Sequence, residues 1–446
     1  MTVISSVGNL SVNTLPGATK LATTAAAVDT LQTTVTPSTL VTLGQVVTAA
    51  PVYSLASLPT VPSQADNQGT LSVKTASGAL VELSQATDGS GIQITVKQGN
   101  LSEAERSALE KLSDGFNKAM EGLTGQPPRL DLSGLTTFNS AVLTSVDLSA
   151  KVTGNNAMTL NFHADNTTRS VKSTGTLGTI DISVDMSKRA ILGNESQQQR
   201  ALSQYLKQFD RAQSRGEGDS TLMTLFKDAF TALNSNYSTT PAANSRQQTT
   251  YISLTRSDKN MLTGLADFTA SVTQTPGTPN PMRLNEIDSF SYQVSQVSLL
   301  TGTSDQNRNI TQKQQSHLTA SYHKSLVAGL QLNLTTDRNS QNYVYTQIDD
   351  KAESTTEVQY RKGALVSATL DQSASTSTRV QKYVKGWLES DTTTPEQTSK
   401  TTDLLEKLQS AWEAENSRIS FANYLRQHTL PDFGEDVLLK SDPQTL

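Results

Sequence analysis

The chain has 446 residues, of which 35% are hydrophobic and 17% are charged, with a net charge of -5 and no cysteine. Both fractions lie below the averages of soluble proteins, about 45–50% apolar and about 25% charged, so the composition favours extended polar surfaces over one thick core. The acidic balance and the isolated basic pairs 188–189 and 361–362 disfavour nucleic acid as a partner, and the absence of cysteine excludes disulfides and thiolate metal sites.

Residues 1–66 differ from the rest of the chain. Lys20 and Asp29 are the only charged residues before Asp66, and five prolines interrupt the segment. No apolar period persists, so we expect a disordered Ser/Thr-rich leader. It lacks a basic region followed by an apolar one, which argues against a cleaved signal peptide. An uncleaved export signal and a plain tail both remain open.

Residues 67–235 are predicted to form a small β-meander, a helix, further strands and a helical hairpin. Alternation at 69–98 around Ser77-Gly78 predicts the meander. Ser102 and Glu105 form a capping-box pattern ahead of a helix that ends at Gly125. Strands are expected at 142–152, 158–162 and 180–184. The helical hairpin spans 196–234, with a break at 215–218 and a cap at Asp219 or Ser220.

Residues 236–395 are predicted to be a long antiparallel β region. Apolar and polar residues alternate at 290–294, 318–322, 330–334, 343–345 and 357–360. Turns are expected at 337–340 and 349–351. A pattern of Tyr followed by a basic and a small residue recurs at 322–325, 360–363 and 383–386, and we interpret it as equivalent bends in successive strands.

Residues 396–446 are predicted to form a C-terminal helix, from Thr401 to Gln427, and a mobile tail after Pro431. The fold class expected is therefore α+β, with long antiparallel strands, covering amphipathic helices and a disordered N-terminal leader. Whether the strands form one sheet or two stays open. No stretch approaches the roughly 18 apolar residues of a spanning helix.

The common catalytic motifs are absent from the sequence. There is no phosphate-binding loop, no nucleophile elbow and no zinc-binding H-E-x-x-H helix. Gly216 and Gly218 begin a G-x-G-x-x-G pattern, but Thr221 replaces its third glycine and a helix precedes it, so a helix-breaking loop is the better interpretation. We therefore expect no catalytic, cofactor-binding or metal-binding residues.

Two clusters of possible metal ligands occur in the sequence. His317 and His323 lie six residues apart on a predicted strand and would share a face, but solvent-facing histidines are the favoured interpretation. Asp349, Asp350 and Glu353 lack the alternating oxygen ligands and the glycine of a calcium loop, and we interpret them as a solvated hairpin turn.

Residues 295–302 (SQVSLLTG) and 362–368 (KGALVSA) resemble an uncharacterised family of bacterial proteins, over about the C-terminal two-thirds of the chain. Some members of that family carry an automatic lactate dehydrogenase label. Such an enzyme needs a dinucleotide fold, a His/Asp pair and substrate-clamping arginines, and none can be placed on these residues. The chain is expected to bind no NADH.

These observations favour a non-catalytic structural or interaction protein of bacterial origin. It is expected to be extracellular or at the cell surface without a cleaved signal peptide, or alternatively cytoplasmic. Its partner is expected to be another protein or a second copy. One alternative is a carrier of a lipid or small apolar ligand, held in a groove between sheet and helix. The other is an enzyme of unrecognised type, which would show a pocket with convergent carboxylates or histidines.

Overall fold

A computed structural model describes residues 52–54, 67–85, 91–237, 252–414, 419–427 and 430–446. All of them belong to one compact unit, Ala50–Leu446. Most of the predicted leader lies outside the described residues. The exception is Val52–Ser54, which forms a strand rather than disordered chain.

Fourteen strands are described: β1 (Val52–Ser54), β2 (Gln68–Thr75), β3 (Leu80–Gln85), β4 (Ile92–Gln98), β5 (Leu143–Val152), β6 (Met158–Asp165), β7 (Thr168–Gly175), β8 (Gly178–Asp185), β9 (Asp267–Gln274), β10 (Ser289–Ser304), β11 (Asn307–Ser325), β12 (Tyr343–Arg361), β13 (Ala364–Val384) and β14 (Trp387–Asp403). The described helices are α1 (Glu103–Thr124), α2 (Ser133–Thr136), α3 (Glu195–Gly216), α4 (Ser220–Leu233), α5 (Arg256–Lys259), α6 (Leu404–Ala414), α7 (Phe421–Gln427) and α8 (Gly434–Val437).

All fourteen strands belong to one antiparallel sheet, in the order β1-β4-β3-β2-β5 and then β6 to β14 in sequence. From β6 to β13 each strand therefore pairs with the strands before and after it in the chain, whereas β5 pairs with β2 and β6. Such a meander is typical of antiparallel sheets. The one-sheet alternative is thus the correct one for the described strands.

The first helix begins as its sequence predicts. Ser102 accepts a hydrogen bond from the Glu105 amide, and the Glu105 carboxylate accepts one from the Ser102 amide at 2.7 Å. The hydroxyl of Ser77, at the turn between β2 and β3, donates to the same carboxylate at 2.7 Å. These hydrogen bonds, with that of Ser77 first, lower the pKa of Glu105 to about 2. The capping box thus fastens α1 to the meander.

The predicted helical hairpin is confirmed as α3 and α4. Asp219 caps α4 by accepting from the Leu222 amide, and Glu217 ends α3 in the left-handed conformation. An aromatic core packs between the hairpin and the sheet. Phe209 contacts Phe226 and Phe230 with ring centroids 4.9 and 5.0 Å apart, and Tyr205 packs edge-on to Phe268 at 5.2 Å. The hairpin therefore covers the apolar face of β8 to β11.

The C-terminal region differs from its prediction in two ways. Residues 401–403 end β14, and the predicted single helix is two, α6 and α7, with residues 415–418 outside the described part. The tail after Pro431 is not a mobile extension. Val437, Leu438 and Leu439 are buried in the hydrophobic core, and polar side chains of the sheet bind their peptide groups.

Those polar side chains replace strand pairing for the tail. Gln314 donates to the Val437 carbonyl at 2.7 Å and accepts from the Leu439 amide at 3.0 Å. Ser354 also donates to the Val437 carbonyl, and Gln372 donates to the Leu438 carbonyl. Buried peptide groups need such partners. Glutamines at core-facing strand positions thus dock an irregular segment on the sheet.

The recurrent Tyr pattern marks two tight hairpin corners. Lys362-Gly363 joins β12 to β13 and Lys385-Gly386 joins β13 to β14, all four residues having positive φ. Two successive positive φ angles characterise the hairpin turns that match strand twist. A register shift lies beside each corner, at Tyr360 and at Tyr383. The occurrence at 322–325 is instead the end of β11.

Two other local predictions are wrong, and two strands of the sheet were not predicted. Strand β7 was not predicted, because buried Arg169 and Ser173 occupy its core-facing positions and hide the apolar alternation. Residues 330–334 form a loop, with Leu330 exposed. Residues 349–351 lie inside β12 rather than in a turn. Most of β14 was also missed, since all but two of its residues are exposed.

Candidate interaction surface

The last strand of the sheet is an open edge. Strand β14 is 17 residues long and pairs with β13 alone among the described strands. An edge strand presents unpaired N–H and C=O groups that can pair with another extended chain. Long exposed edges are usually blunted in monomeric proteins, so this one is a candidate interaction surface.

The position of Pro395 shows which peptide groups face outward. Pro395 continues the ladder opposite Ser377 although it has no N–H. Proline is tolerated in an edge strand where the missing N–H would point to solvent. Peptide groups alternate in direction along an antiparallel strand, so Thr393 and Gln397 also direct their N–H groups toward the free edge.

Charges on the flanks of β14 are largely neutralised by β13. Arg379 binds Asp391 with two hydrogen bonds, and Lys382 lies 2.7 Å from Glu389. Asp403 accepts from the Leu405 amide at the start of α6. Glu396 and Lys400 remain, one of each sign, so the edge carries little net charge to repel a partner strand.

The face of the sheet away from the helices is polar along whole cross-strand rows. One row crosses β6 to β11 and consists of hydroxyl residues: Thr159, Thr174, Thr179, Thr273, Ser291 and Thr319. The next crosses β8 to β14: Asp181, Ser271, Gln293, His317, Lys351, Ser375 and Gln397. This open face ends at the free edge of β14.

Exposed apolar side chains gather at the end of the sheet where β14 begins. Trp387 is 66% exposed and Leu388 50%, and Val327 and Leu330 on the loop after β11 are each more than 60% exposed. The Arg338 guanidinium lies 4.9 Å from the Trp387 ring centre and links the two segments. Exposed apolar side chains at one end of a sheet are a candidate contact area.

The predicted histidine pair is not brought together. His317 and His323 lie on one strand, about 20 Å apart at about 3.3 Å per residue. Each instead binds carboxylates, His317 that of Asp349 at 2.8 Å and His323 those of Asp288 and Glu286 at 2.6 and 3.4 Å. Burial opposes the charge of His323, but these carboxylates outweigh it and raise its pKa. His323 is therefore part of a buried polar contact, not solvent-facing as interpreted from sequence.

The acidic cluster and the glycine loop also have structural roles. Asp350 faces the helices and binds Arg215, whereas Glu353 lies 2.9 Å from Lys313 on the other face. A Cβ on Gly216 or Gly218 would meet the Phe290 ring at under 3.0 Å, so these glycines permit close packing of the loop on the sheet. Within the described residues, no group of three or more His, Cys, Asp or Glu residues could hold a metal.

Across the described part of the chain, none of the helices combines the length and apolarity needed to cross a membrane. Comparison with protein-family models, with curated proteins and with solved structures found no match to this chain.

Proposed function

We propose that this chain is a non-catalytic interaction protein that binds another polypeptide along β14. One observation carries the proposal: a 17-residue strand that, among the described strands, pairs on one side only and is exposed along nearly its whole length. Addition of an extended segment to such an edge supplies main-chain hydrogen bonds over many residues. Trp387 and the other exposed apolar side chains at this end of the sheet would supply the contact area that hydrogen bonds alone do not.

The partner is an extended polypeptide, and a second copy of the chain is one candidate. The near-neutral edge is compatible with another polypeptide and with a second copy of the chain. In the second case, like charges would otherwise oppose the pairing of two β14 strands. Two edges related by a twofold axis would form a self-complementary contact. Binding to another protein and self-association differ in how they depend on the concentration of this chain.

Replacing Thr393 with proline is expected to weaken the association at least about tenfold. The substitution removes an outward N–H and adds a ring at the free edge, but it leaves the hydrogen bonds between β14 and β13 intact. A tenfold loss of affinity corresponds to about 1.4 kcal/mol of binding free energy. Sedimentation velocity over a concentration series measures self-association. Capture from an extract of the native host, compared between variants, measures other partners.

Thr393→Val is the matched control, since it keeps the N–H and suits a strand. Wild type and Thr393→Val should associate equally, with thermal midpoints close to that of Thr393→Pro. Equal association of all three proteins would show that the edge of β14 is not the interface.

The alternative functions have less support. A lipid carrier needs an apolar groove between sheet and helix, whereas the space between α3 and the sheet is lined mainly by polar side chains. An enzyme needs convergent catalytic groups, whereas the carboxylates and histidines discussed above are engaged in structural contacts. Membership of the uncharacterised bacterial family stays a proposal that rests on residues 295–302 and 362–368.

We also propose that the protein is bacterial and exported without a cleaved signal peptide, on the basis of its charge-poor first 66 residues and its lack of cysteine. The full-length protein is then expected in the culture medium or at the surface of its host. Fractionation followed by immunoblotting measures this. Recovery only with a cytoplasmic marker would contradict export and leave the proposed interaction in an intracellular setting.

A further inference from the structure

Strand β14 carries two exposed charges of opposite sign, Glu396 and Lys400. Their neighbours on β13 are the uncharged Thr376 and Gln372. The two charged residues lie four positions apart, so both side chains are on the helix-covered face of the sheet. Lys400 donates to the Leu446 carbonyl at 3.1 Å, but an ammonium group has three N–H donors. Both charges can therefore pair with a strand that binds to the edge.

A second copy of the chain can pair with β14 only in certain registers. The outward peptide groups belong to alternate residues, among them Pro395 and Gln397, and two antiparallel strands must both direct these groups toward each other. Directly opposite residues then lie on the same face, and a twofold axis relates the two strands. One such register places Glu396 opposite Lys400, and in that register the axis passes beside Thr398.

Residues 393–403 of the two copies face each other in this register. The axis repeats the Glu396–Lys400 pair, so two pairs of opposite charge form across the edge. The remaining pairs carry no like charges: Thr393–Asp403, Thr394–Thr402, Pro395–Thr401, Gln397–Ser399 and Thr398–Thr398. Threonine is a favourable strand residue, and threonine pairs across strands are stabilising. The only missing main-chain hydrogen bonds are the two that the prolines cannot donate.

The neighbouring registers are less favourable. A shift of two residues in one direction places Asp391 opposite Asp403, and like charges directly opposite each other are destabilising. The same shift in the other direction leaves Glu396 and Lys400 opposite threonines. Shifts of four residues place Glu396 opposite Glu396 or Lys400 opposite Lys400. Among these five registers, the charges of β14 therefore select one.

We propose that the partner of β14 is a second copy of the chain, bound antiparallel about a twofold axis beside Thr398, with each Glu396 paired to Lys400 of the other copy. This inference rests on the proposed pairing along β14 and adds its partner and its register. The contact gives the outward peptide groups of the edge hydrogen-bond partners. A twofold axis normal to the sheet also keeps the helices of both copies on one side.

Charge reversal tests the pairing, with sedimentation velocity of the full-length chain over a concentration series. Glu396→Lys and Lys400→Glu each place like charges opposite each other at two positions, so each is expected to weaken self-association at least about tenfold. An equimolar mixture of the two variants restores both pairs of opposite charge and should restore association. Glu357→Lys, the same change at an exposed position of β12, is the control and should have no effect. Thermal midpoints report whether each variant folds.

A single cysteine tests the register. The chain has no cysteine, so Thr398→Cys supplies one thiol in each copy. The peptide groups of residue 398 point toward β13, so the two copies of this residue form a non-hydrogen-bonded pair with Cα atoms about 4.5 Å apart, which a disulfide can bridge. Thr394→Cys, on the same face, is the control, because its two copies would lie about 26 Å apart. Oxidation with copper phenanthroline followed by non-reducing electrophoresis should show a dimer of Thr398→Cys alone.

Restored association in the mixture and a disulfide at residue 398 would support the proposal. A mixture that associates no better than either variant would overturn the ion pairs, and no disulfide at 398, or one at 394 instead, would overturn the register. A wild type that stays monomeric would overturn the second copy as partner. In each of these cases Thr393→Pro still decides separately whether β14 is an interface, since reduced association or reduced capture of another polypeptide by that variant would uphold the proposed function.

Discussion

Replacing Asp258 with alanine is expected to destabilise the protein by about 3–5 kcal/mol, because it removes one partner of a buried ion pair. Both Asp258 carboxylate oxygens accept from Arg308, at 3.0 and 2.8 Å, and the two side chains are 0% and 5% exposed. The Arg308 guanidinium also lies 3.6 Å from the centre of the Tyr360 ring, which confines it further. Without Asp258, a charge stays buried and unpaired.

Urea denaturation of the two proteins measures this loss. Asp258 also caps α5 by accepting from the Thr255 amide, so Thr255→Ala should be measured beside it, with an expected loss of about 1 kcal/mol. Asp181→Ala, which breaks an exposed pair with Lys172 at 3.7 Å, is the matched surface control and should cost less than about 1 kcal/mol. Equal losses for Asp258→Ala and Asp181→Ala would refute the special role of the buried pair.

Replacing Phe226 with alanine is expected to cost about 3–5 kcal/mol, the range for a large aromatic removed from a core. Phe226 is 0% exposed and its ring packs against those of Phe209 and Phe230. Truncation leaves a void in the core between α3, α4 and the sheet. The two helices fill this void only in part, because their caps and the sheet hold them in place. Leu225→Ala, at a site that is 3% exposed, should cost about 2–5 kcal/mol for the same reason.

The change in denaturation midpoint, at constant slope, gives the value for Phe226→Ala. Leu299→Ala is the control, because Leu299 is 58% exposed on the open face of β10, and its truncation should change stability by less than about 0.5 kcal/mol. An unchanged midpoint in Phe226→Ala would mean that the stripe of α4 is a binding face and not part of the core.

The elements that could be predicted are those whose signals are local. The capping box of Ser102 and Glu105, the Gly-marked turn of the meander and the apolar stripes of α3 and α4 each involve residues within a few positions of one another. The physical cause is also local: a side chain accepts from a free amide one turn away, or apolar residues recur with the helical period. The covering helices and antiparallel strands of the fold class follow from these signals.

The proposed interaction strand had no such signal. Strand β14 buries almost nothing, so its sequence carries no alternation, and only its pairing with β13 places it in the sheet. The space between α3 and the sheet is similar: the spacing of Gln208, Arg211 and Arg215 is visible in the sequence, but the residues beneath them come from five strands whose register is a property of the whole sheet.

By itself the sequence determined the β-rich class, the absence of disulfides, and the helices with caps and apolar stripes, because composition and short-range contacts decide these. Only the tertiary structure decided that the described strands form one sheet and that the tail is buried rather than mobile. It also placed Asp350 under α3 instead of in a turn. The buried tail and the position of Asp350 depend on glutamine, serine and aspartate side chains that are buried although they are polar. Distant peptide groups and Arg215 form the hydrogen bonds that these side chains need.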